Sequence, residues 1–338
     1  MKRRRRWKRY SKRYTTVNPE KNLQSIADII NRSERFLLLT HRDPDADGIG
    51  SMLALGMAIS ESGKKAVCLA DGPLEGSLGM LRGSENIVFS EEEGSDYDVF
   101  IALDCSAIER IAGRDGRSIS PLVNIDHHVT NDHFGHLNYV DALSSSTGEM
   151  VLKLIKAARL PLGYVTAENI FAAIQSDTGS FRYTNTTTSS LMAAVELIEM
   201  GVKPWDVAMR VLDGSNVSKL KLLRMGLGTV SFHYKDRIGM MVLTKEMFQK
   251  AGADFRESER FVDYPRCVRG VQIAVLVRQT GDNMYKFSLR SNTTDRVAEL
   301  ASVFGGGGHA RAAGFEIKGL LDDNLRLFLK EAERFLNE

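Results

Sequence analysis

His41, Asp43, Asp45 and Asp47 fall within seven positions of the stretch "LLLTHRDPDADGIGS", directly after an apolar run. Further acids and imidazoles occupy comparable places. Asp104 follows "VFIAL", Asp126, His127 and His128 follow "LVNI", and Asp177 closes "IFAAIQSD". One such carboxylate reads as a helix cap or a turn residue. A whole set, placed at the ends of strand-like and helical runs, is harder to explain that way. Carboxylates crowded together repel and raise one another's pKa unless cations neutralise them. Oxygen and imidazole donors without sulfur suit Mn²⁺ or Mg²⁺ better than structural zinc. There are more donors than one ion needs, and two ions about 3.5–4 Å apart are the usual apparatus of phosphoester hydrolysis.

Such a rim requires elements that converge on it. The runs at 35–40, 65–70, 98–103 and 122–125 are short and apolar, separated by stretches that can hold helices, as in a parallel sheet with both faces covered. Ligands of open α/β sheets bind beyond the carboxyl ends of the strands. "GIGSMLALGMAISESG" has the spacing of a crossover helix closed by Gly63, and helical patterns continue through "SSSTGEMVLKLIKAA", "TAENIFAAIQSD", "TTTSSLMAAVELIEMG" and "NVSKLKLLRMGLG". After about Gly228 strand pairs take over: "TVSFHY", "IGMMVLT", "VQIAVLVRQ" and, past a turn at "TGDN", "MYKFSLRS". The expectation is an α/β protein with a basic disordered tail (1–16), a parallel-sheet domain with helices on both faces (17–195), a helical linker (196–228) and a smaller mixed α/β domain (229–338).

At 338 residues, with 43% hydrophobic and 26% charged, the chain is long enough for two cores and excludes disordered and fibrous classes. The apolar runs are too short to cross a bilayer, and a cytoplasmic location is expected. Cys68, Cys105 and Cys267 lie far apart and form neither a disulfide framework nor a thiolate metal motif. Residues 1–14 hold nine Lys or Arg and no acid, leaving 36 basic against 43 acidic residues in the remainder. Such a tail can bind RNA or a ribosome by counterion release, or it is a solvated arm.

In this order, "HRDPDADGIGS", "ALDCS", "NIDHHVTN" and "IQSDTGSF" resemble the four motifs of the DHH phosphoesterase family, whose name is the Asp126-His127-His128 triplet. "SLRS" followed by "VAELASVFGGGGHARAAGF" is similar to the DHH-associated domain, so the resemblance covers nearly the whole chain. It implies that His41, Asp45 and Asp104 hold one Mn²⁺ and that Asp47, Asp104, His127 and Asp177 hold a second, with Mg²⁺ or Co²⁺ as other fillings. Asp104 would bridge the ions, His128 would face the substrate phosphate, and Asp126 would orient the ligand histidine. Asp43 falls outside this ligand set. The resemblance also implies that Arg290, His309, Arg311 and Gly306, Gly307 and Gly308 contact the nucleotide.

Arg182, just after "DTGSF", reads equally as a further phosphate contact or a surface arginine. Cys105 beside Asp104 reads as a small core residue, since two-metal hydrolysis needs no covalent intermediate. A two-domain chain of this length resembles the nanoRNase type, which cleaves very short oligoribonucleotides and removes phosphate from 3′-phosphoadenosine 5′-phosphate. A cyclic-dinucleotide phosphodiesterase of the same fold is the nearest rival. A non-catalytic RNA- or ribosome-binding protein is the rival of another class. A homodimer is compatible with the sequence.

Overall fold

A computed structural model of the chain describes residues 19–74, 76–90, 96–112, 121–211, 216–293, 296–309 and 311–337. The basic tail lies outside them. The chain divides into two compact units between Gly214 and Ser215. Among the described residues no helix is long and apolar enough to cross a membrane.

The first unit is built on five parallel strands, β1 (Arg35–Leu39), β2 (Lys65–Leu69), β3 (Val99–Leu103), β4 (Leu122–Asp126) and β5 (Leu137–Val140), in the order β2-β1-β3-β4-β5. Continuous apolar runs such as "RFLLL" and "VFIAL" form its centre because a parallel sheet is buried on both faces. The helices are α1 (Pro19–Arg32), α2 (Ala46–Glu61), α3 (Thr147–Ala158), α4 (Tyr164–Asp177), α5 (Thr188–Glu199) and α6 (Pro204–Val211). Ile26 and Ile30 of α1, Met52 and Ile59 of α2, Leu154 of α3 and Phe171 of α4 share one core with Phe36, Leu38, Ile101 and Val123. On the opposite face Leu37, Leu39, Ala102 and Leu122 are covered, among the described residues, by Tyr97, Ile108, Ile111 and Phe134, which come from loops and a 3₁₀ turn. Strand order reverses between β1 and β3, and a crevice forms at such a switch point beyond the strand ends. His41 and Asp104 leave the sheet at that place.

The stretch read as a linker is divided: α6 belongs to the first unit and α7 (Val217–Leu227) to the second. The second unit holds β6 (Ser231–His233), β7 (Ile238–Leu243), α8 (Lys245–Ala251), β8 (Ile273–Gly281), β9 (Met284–Ser291), α9 (Val297–Ser302), β10 (Gly307–His309), β11 (Ala312–Lys318) and α10 (Leu321–Asn337). Its six-stranded sheet runs β10-β11-β9-β8-β7-β6, and only β7 and β8 pair in parallel. One face packs Val275, Phe287, Leu289 and Phe315 against Leu300 of α9 and Phe328 of α10. The other packs Ala274, Leu276 and Met241 against Leu222 of α7, Phe248 of α8 and Phe261.

Candidate metal centre

The site is built from strand and helix ends of the first unit. The imidazole of His41 is nearly buried, and its Nδ1 lies 2.7 Å from the carbonyl of Arg42. A carbonyl can only accept, so Nδ1 carries the hydrogen and Nε2 keeps its lone pair for a cation. That Nε2 lies 3.6 Å from Asp104 Oδ2. Asp45 caps α2, its Oδ1 accepting from the backbone N–H groups of Asp47 and Gly48 at 3.0 and 3.1 Å. Asp43, held at φ 52°, stands outside every group of three donors that could share an ion.

Asp104 is the hub. It follows β3 at φ 56°, a left-handed conformation that Asp and Asn tolerate better than other residues with side chains. Its Oδ1 accepts from the Thr147 hydroxyl at 3.1 Å and lies 3.6 Å from His127 Nε2, while Oδ2 faces His41. His127 Nε2 is also 3.6 Å from Asp47 Oδ2 and 3.7 Å from Asp177 Oδ2. Separations of this length exceed hydrogen bonds. They are the spacing of donors that surround one ion at about 2.0–2.6 Å. The donor atoms of His41, Asp45 and Asp104 lie within 4.8 Å of one another, as do those of Asp47, His127 and Asp177, and of Asp104, His127 and His128. The chain thus gathers three overlapping triads, with Asp104 in two of them and 3.6 Å from His127 of the third, and the donor set fits a pair of divalent cations.

Three supports hold these acids, and of their donors only Asn131 falls within a motif, "NIDHHVTN". The first turn of α3, capped by Ser146, donates the N–H groups of Thr147 and Gly148 to the two oxygens of Asp47 at 2.8 and 2.9 Å. Asn185 donates to Asp177 Oδ2 at 3.2 Å. Asn131 donates to Asp126 Oδ2 at 2.5 Å. The only signal for the first was "SSSTGE", legible as a helix start because Ser146 and Glu149 stand three apart.

Asp126 corrects one expectation. Its Oδ1 lies 2.7 Å from Nδ1 of His128, so it orients that ring and not His127, the histidine expected to be a ligand. Residues two apart at a strand end point to the same side, whereas neighbours alternate.

Charge follows from this packing. The hydrogen bond to Asp126 lifts His128 to about 9 against the opposing effect of burial. Burial raises Asp104, but the adjacent His41 imidazole and the charges of His127 and His128 outweigh it and hold the carboxyl at about 2. Burial, then the neighbouring carboxylates, raise Asp45 and push Asp47 well up. Asp177 is raised mainly by burial, to about 6. Cys105 is buried, donates to the Ala107 carbonyl at 3.2 Å and is pushed up to about 12, which excludes it as a nucleophile.

A raised carboxyl contributes stability that is fully present below its ordinary value and is lost as pH rises through the raised one. For Asp177 that loss runs from about 4 through about 6, the direction shared by Asp45 and Asp47. A cation that replaces the protons reverses it. The melting temperature gained on adding Mn²⁺ is therefore expected to be larger at about pH 7.5 than at about pH 5. An equal gain at both values would contradict this reading of the carboxylates.

The other predicted residues lie elsewhere. Arg182 is exposed and its Nε donates to the Gly179 carbonyl at 2.8 Å. Arg290 sits on β9 opposite Ala274 and Ala312, and Ala312 in turn pairs with His309, so these positions form one row of the second sheet. Arg311 is exposed in the turn between β10 and β11. The glycine run is a strand and not only a loop. A Cβ at Gly306 would meet Gly314 O at 2.3 Å, and one at Gly308 would meet Ala312 O at 2.5 Å. Gly307 alone of the three faces open space, the place where a ligand can approach the backbone.

A family model for the N-terminal domain of the DHH family matches residues 35–175, and one for the DHHA1 domain matches residues 239–338. The bifunctional oligoribonuclease and PAP phosphatase NrnA of Thermus thermophilus is 34% identical over 88% of this chain and 89% of its own length. The chain belongs to the DHH family. A second DHH relative, the protein of the same name from Bacillus subtilis, is 28% identical over 85% of this chain and 91% of its own. The crystal structure of an exopolyphosphatase-related protein from Bacteroides fragilis superposes with a TM-score of 0.85 at 26% identity, covering 95% of this chain and 98% of that one. DHH enzymes are metal-dependent phosphoesterases, and this chain is a hydrolase of that class.

Proposed function

We propose that this DHH phosphoesterase hydrolyses short oligoribonucleotides to mononucleotides and removes phosphate from 3′-phosphoadenosine 5′-phosphate, using two divalent ions, Mn²⁺ ahead of Mg²⁺ or Co²⁺. The observation that carries it is the set of overlapping triads around Asp104, in a chain whose full-length relatives bear the names of those two activities. His41, Asp45 and Asp104 would hold one ion and Asp47, Asp104, His127 and Asp177 the other. Bound there, such a pair activates water and neutralises charge on the phosphoryl group.

The chain's own side chains do the rest. His128, fixed through Nδ1 by Asp126, presents Nε2 as the donor to a phosphoryl or leaving oxygen. Asp126 is held in turn by Asn131, which keeps the ring from turning. Arg290, Arg311, His309 and the open Gly307 take the substrate's other phosphate or its base. Arg182 is a further candidate contact. The basic tail, outside the described residues, adds a salt-sensitive contact to RNA or the ribosome that is separate from the chemistry.

The test offers a ribodinucleotide, a longer RNA, 3′-phosphoadenosine 5′-phosphate and cyclic di-AMP in parallel with Mn²⁺, to the wild type and to Arg290→Ala. Fast cleavage of the dinucleotide and release of phosphate from the adenosine bisphosphate are expected, with Arg290→Ala raising KM by about tenfold at a smaller cost in kcat. A preference for cyclic di-AMP would keep the phosphoester chemistry and overturn the substrate.

A further inference from the structure

Thr40 directly follows β1, one residue before His41, and is completely buried. Its Oγ1 has no hydrogen-bond partner among the described residues. Native proteins rarely leave a buried hydroxyl unsatisfied, and where they do, an ion, a water or a function accounts for it. The backbone here is clamped, since Ala112 N–H donates to the Thr40 carbonyl at 2.9 Å and Arg42 N–H to the Arg110 carbonyl at 2.7 Å. The hydroxyl is therefore held in place and does not drift with a loose loop.

Gly48 shows what that hydroxyl faces. A Cβ built there would lie 2.5 Å from Thr40 Oγ1, 3.3 Å from Asp104 Oδ2 and 3.5 Å from His41 Cδ2. A side chain at position 48 would force Thr40 Oγ1 to shift and crowd Asp104 Oδ2, while meeting His41 in ordinary contact. The bare Cα of Gly48 thus leaves a gap lined by an unsatisfied hydroxyl and by two members of the His41–Asp45–Asp104 triad.

We propose that Thr40 is a positioning residue of this triad: its hydroxyl donates to the oxygen ligands of the cation held there, and Gly48 keeps the gap open for that bond. The proposal rests on reading the triad as a cation site. Loading the cation would turn the unsatisfied hydroxyl into a satisfied one, so affinity for the ion gains what the metal-free protein lacks.

The test is calorimetric titration of the full chain with Mn²⁺, beside thermal melting of the metal-free protein, for wild type, Thr40→Val, Thr40→Ser and Asp104→Asn. Valine keeps the branched shape and removes the hydroxyl. It is expected to weaken Mn²⁺ binding about tenfold or more while the metal-free melting temperature stays level or rises, and serine is expected to restore binding to within about threefold. Unchanged binding by Thr40→Val would overturn the proposal. So would a serine variant as weak as valine, which would assign the effect to packing, or a metal-free valine variant melting well below wild type, which would assign the hydroxyl to the fold. Undiminished Mn²⁺ binding by Asp104→Asn would sink the cation-site reading itself, and this inference with it.

Discussion

Replacing Asp104 by Asn is expected to lower phosphoester hydrolysis by about a thousandfold or more, equivalent to the several kcal/mol that charge stabilisation by bound cations supplies. Asn is the informative substitution because residue 104 sits at φ 56°, where Ala would add backbone strain to the loss of the ligand. The amide keeps the shape and the left-handed conformation and removes the charge that faces His41 and His127. Far-ultraviolet circular dichroism should be unchanged and Mn²⁺ affinity strongly reduced. Activity near wild type in Mn²⁺-replete buffer would refute the placement of Asp104 between two ions.

The second large effect is expected at His128. His128→Gln should lower kcat by about 10²–10⁴-fold, the usual contribution of a positioned proton donor, with Mn²⁺ affinity and KM little changed. The pair Asp126–His128, at 2.7 Å, and the lift of the ring to about 9 make the imidazole a donor at neutral pH. Asp126→Asn should reproduce part of the loss, since it removes the partner and leaves the ring. The geometry also offers a competing outcome, because His128 shares a donor group with Asp104 and His127. Loss of Mn²⁺ binding in His128→Gln would make it a ligand and withdraw it from proton donation.

What could be read from the sequence followed from where burial is two-sided. Strands β1 and β3 announce themselves as continuous apolar runs, β4 as a buried run broken by Asn124 and β2 as a short edge run, and the acids after β1, β3 and β4 fall at the sheet's carboxyl edge by topology alone. Strand β5, "LNYV", has four residues and a half-buried alternation, so nothing local marks it. The hairpin of β10 and β11 hid behind four consecutive glycines. Its pairing depends on Gly306 and Gly308 admitting the backbone at Ala312 and Gly314, a contact that no local pattern records. Among the described residues helices cover one face of the first sheet, and the continuous apolar run of β1 could not say that loop side chains such as Phe134 would cover the other.

The site divides the same way. Residue types at strand ends and, for Asp177, at a helix end marked the candidate donors, and the family resemblance sorted His41, Asp45, Asp47, Asp104, His127 and Asp177 from the rest. Asp47 is held by the backbone N–H groups of Thr147 and Gly148, about a hundred residues away, whereas Asn185 holds Asp177 and Asn131 holds Asp126 across only eight and five residues. Asp126 is the instructive case. Its presence was legible from the triplet, and its partner followed only once β4 was known to continue through Asp126 itself.

The bond between Asp47 and the first turn of α3 spans 100 residues of chain, and Asp177 closes the same cluster from further on. A chain growing from the ribosome exposes its first acids long before their backbone partners exist. Early in synthesis, His41, Asp45 and Asp47 are only an acidic segment with low affinity for any ion. Contacts so distant in sequence carry a larger loop-closure cost than the strand pairings between them. A first unit that is mispaired or truncated before Asp177 cannot bring Asp47, His127 and Asp177 together, so an ion bound by that triad would report the finished topology.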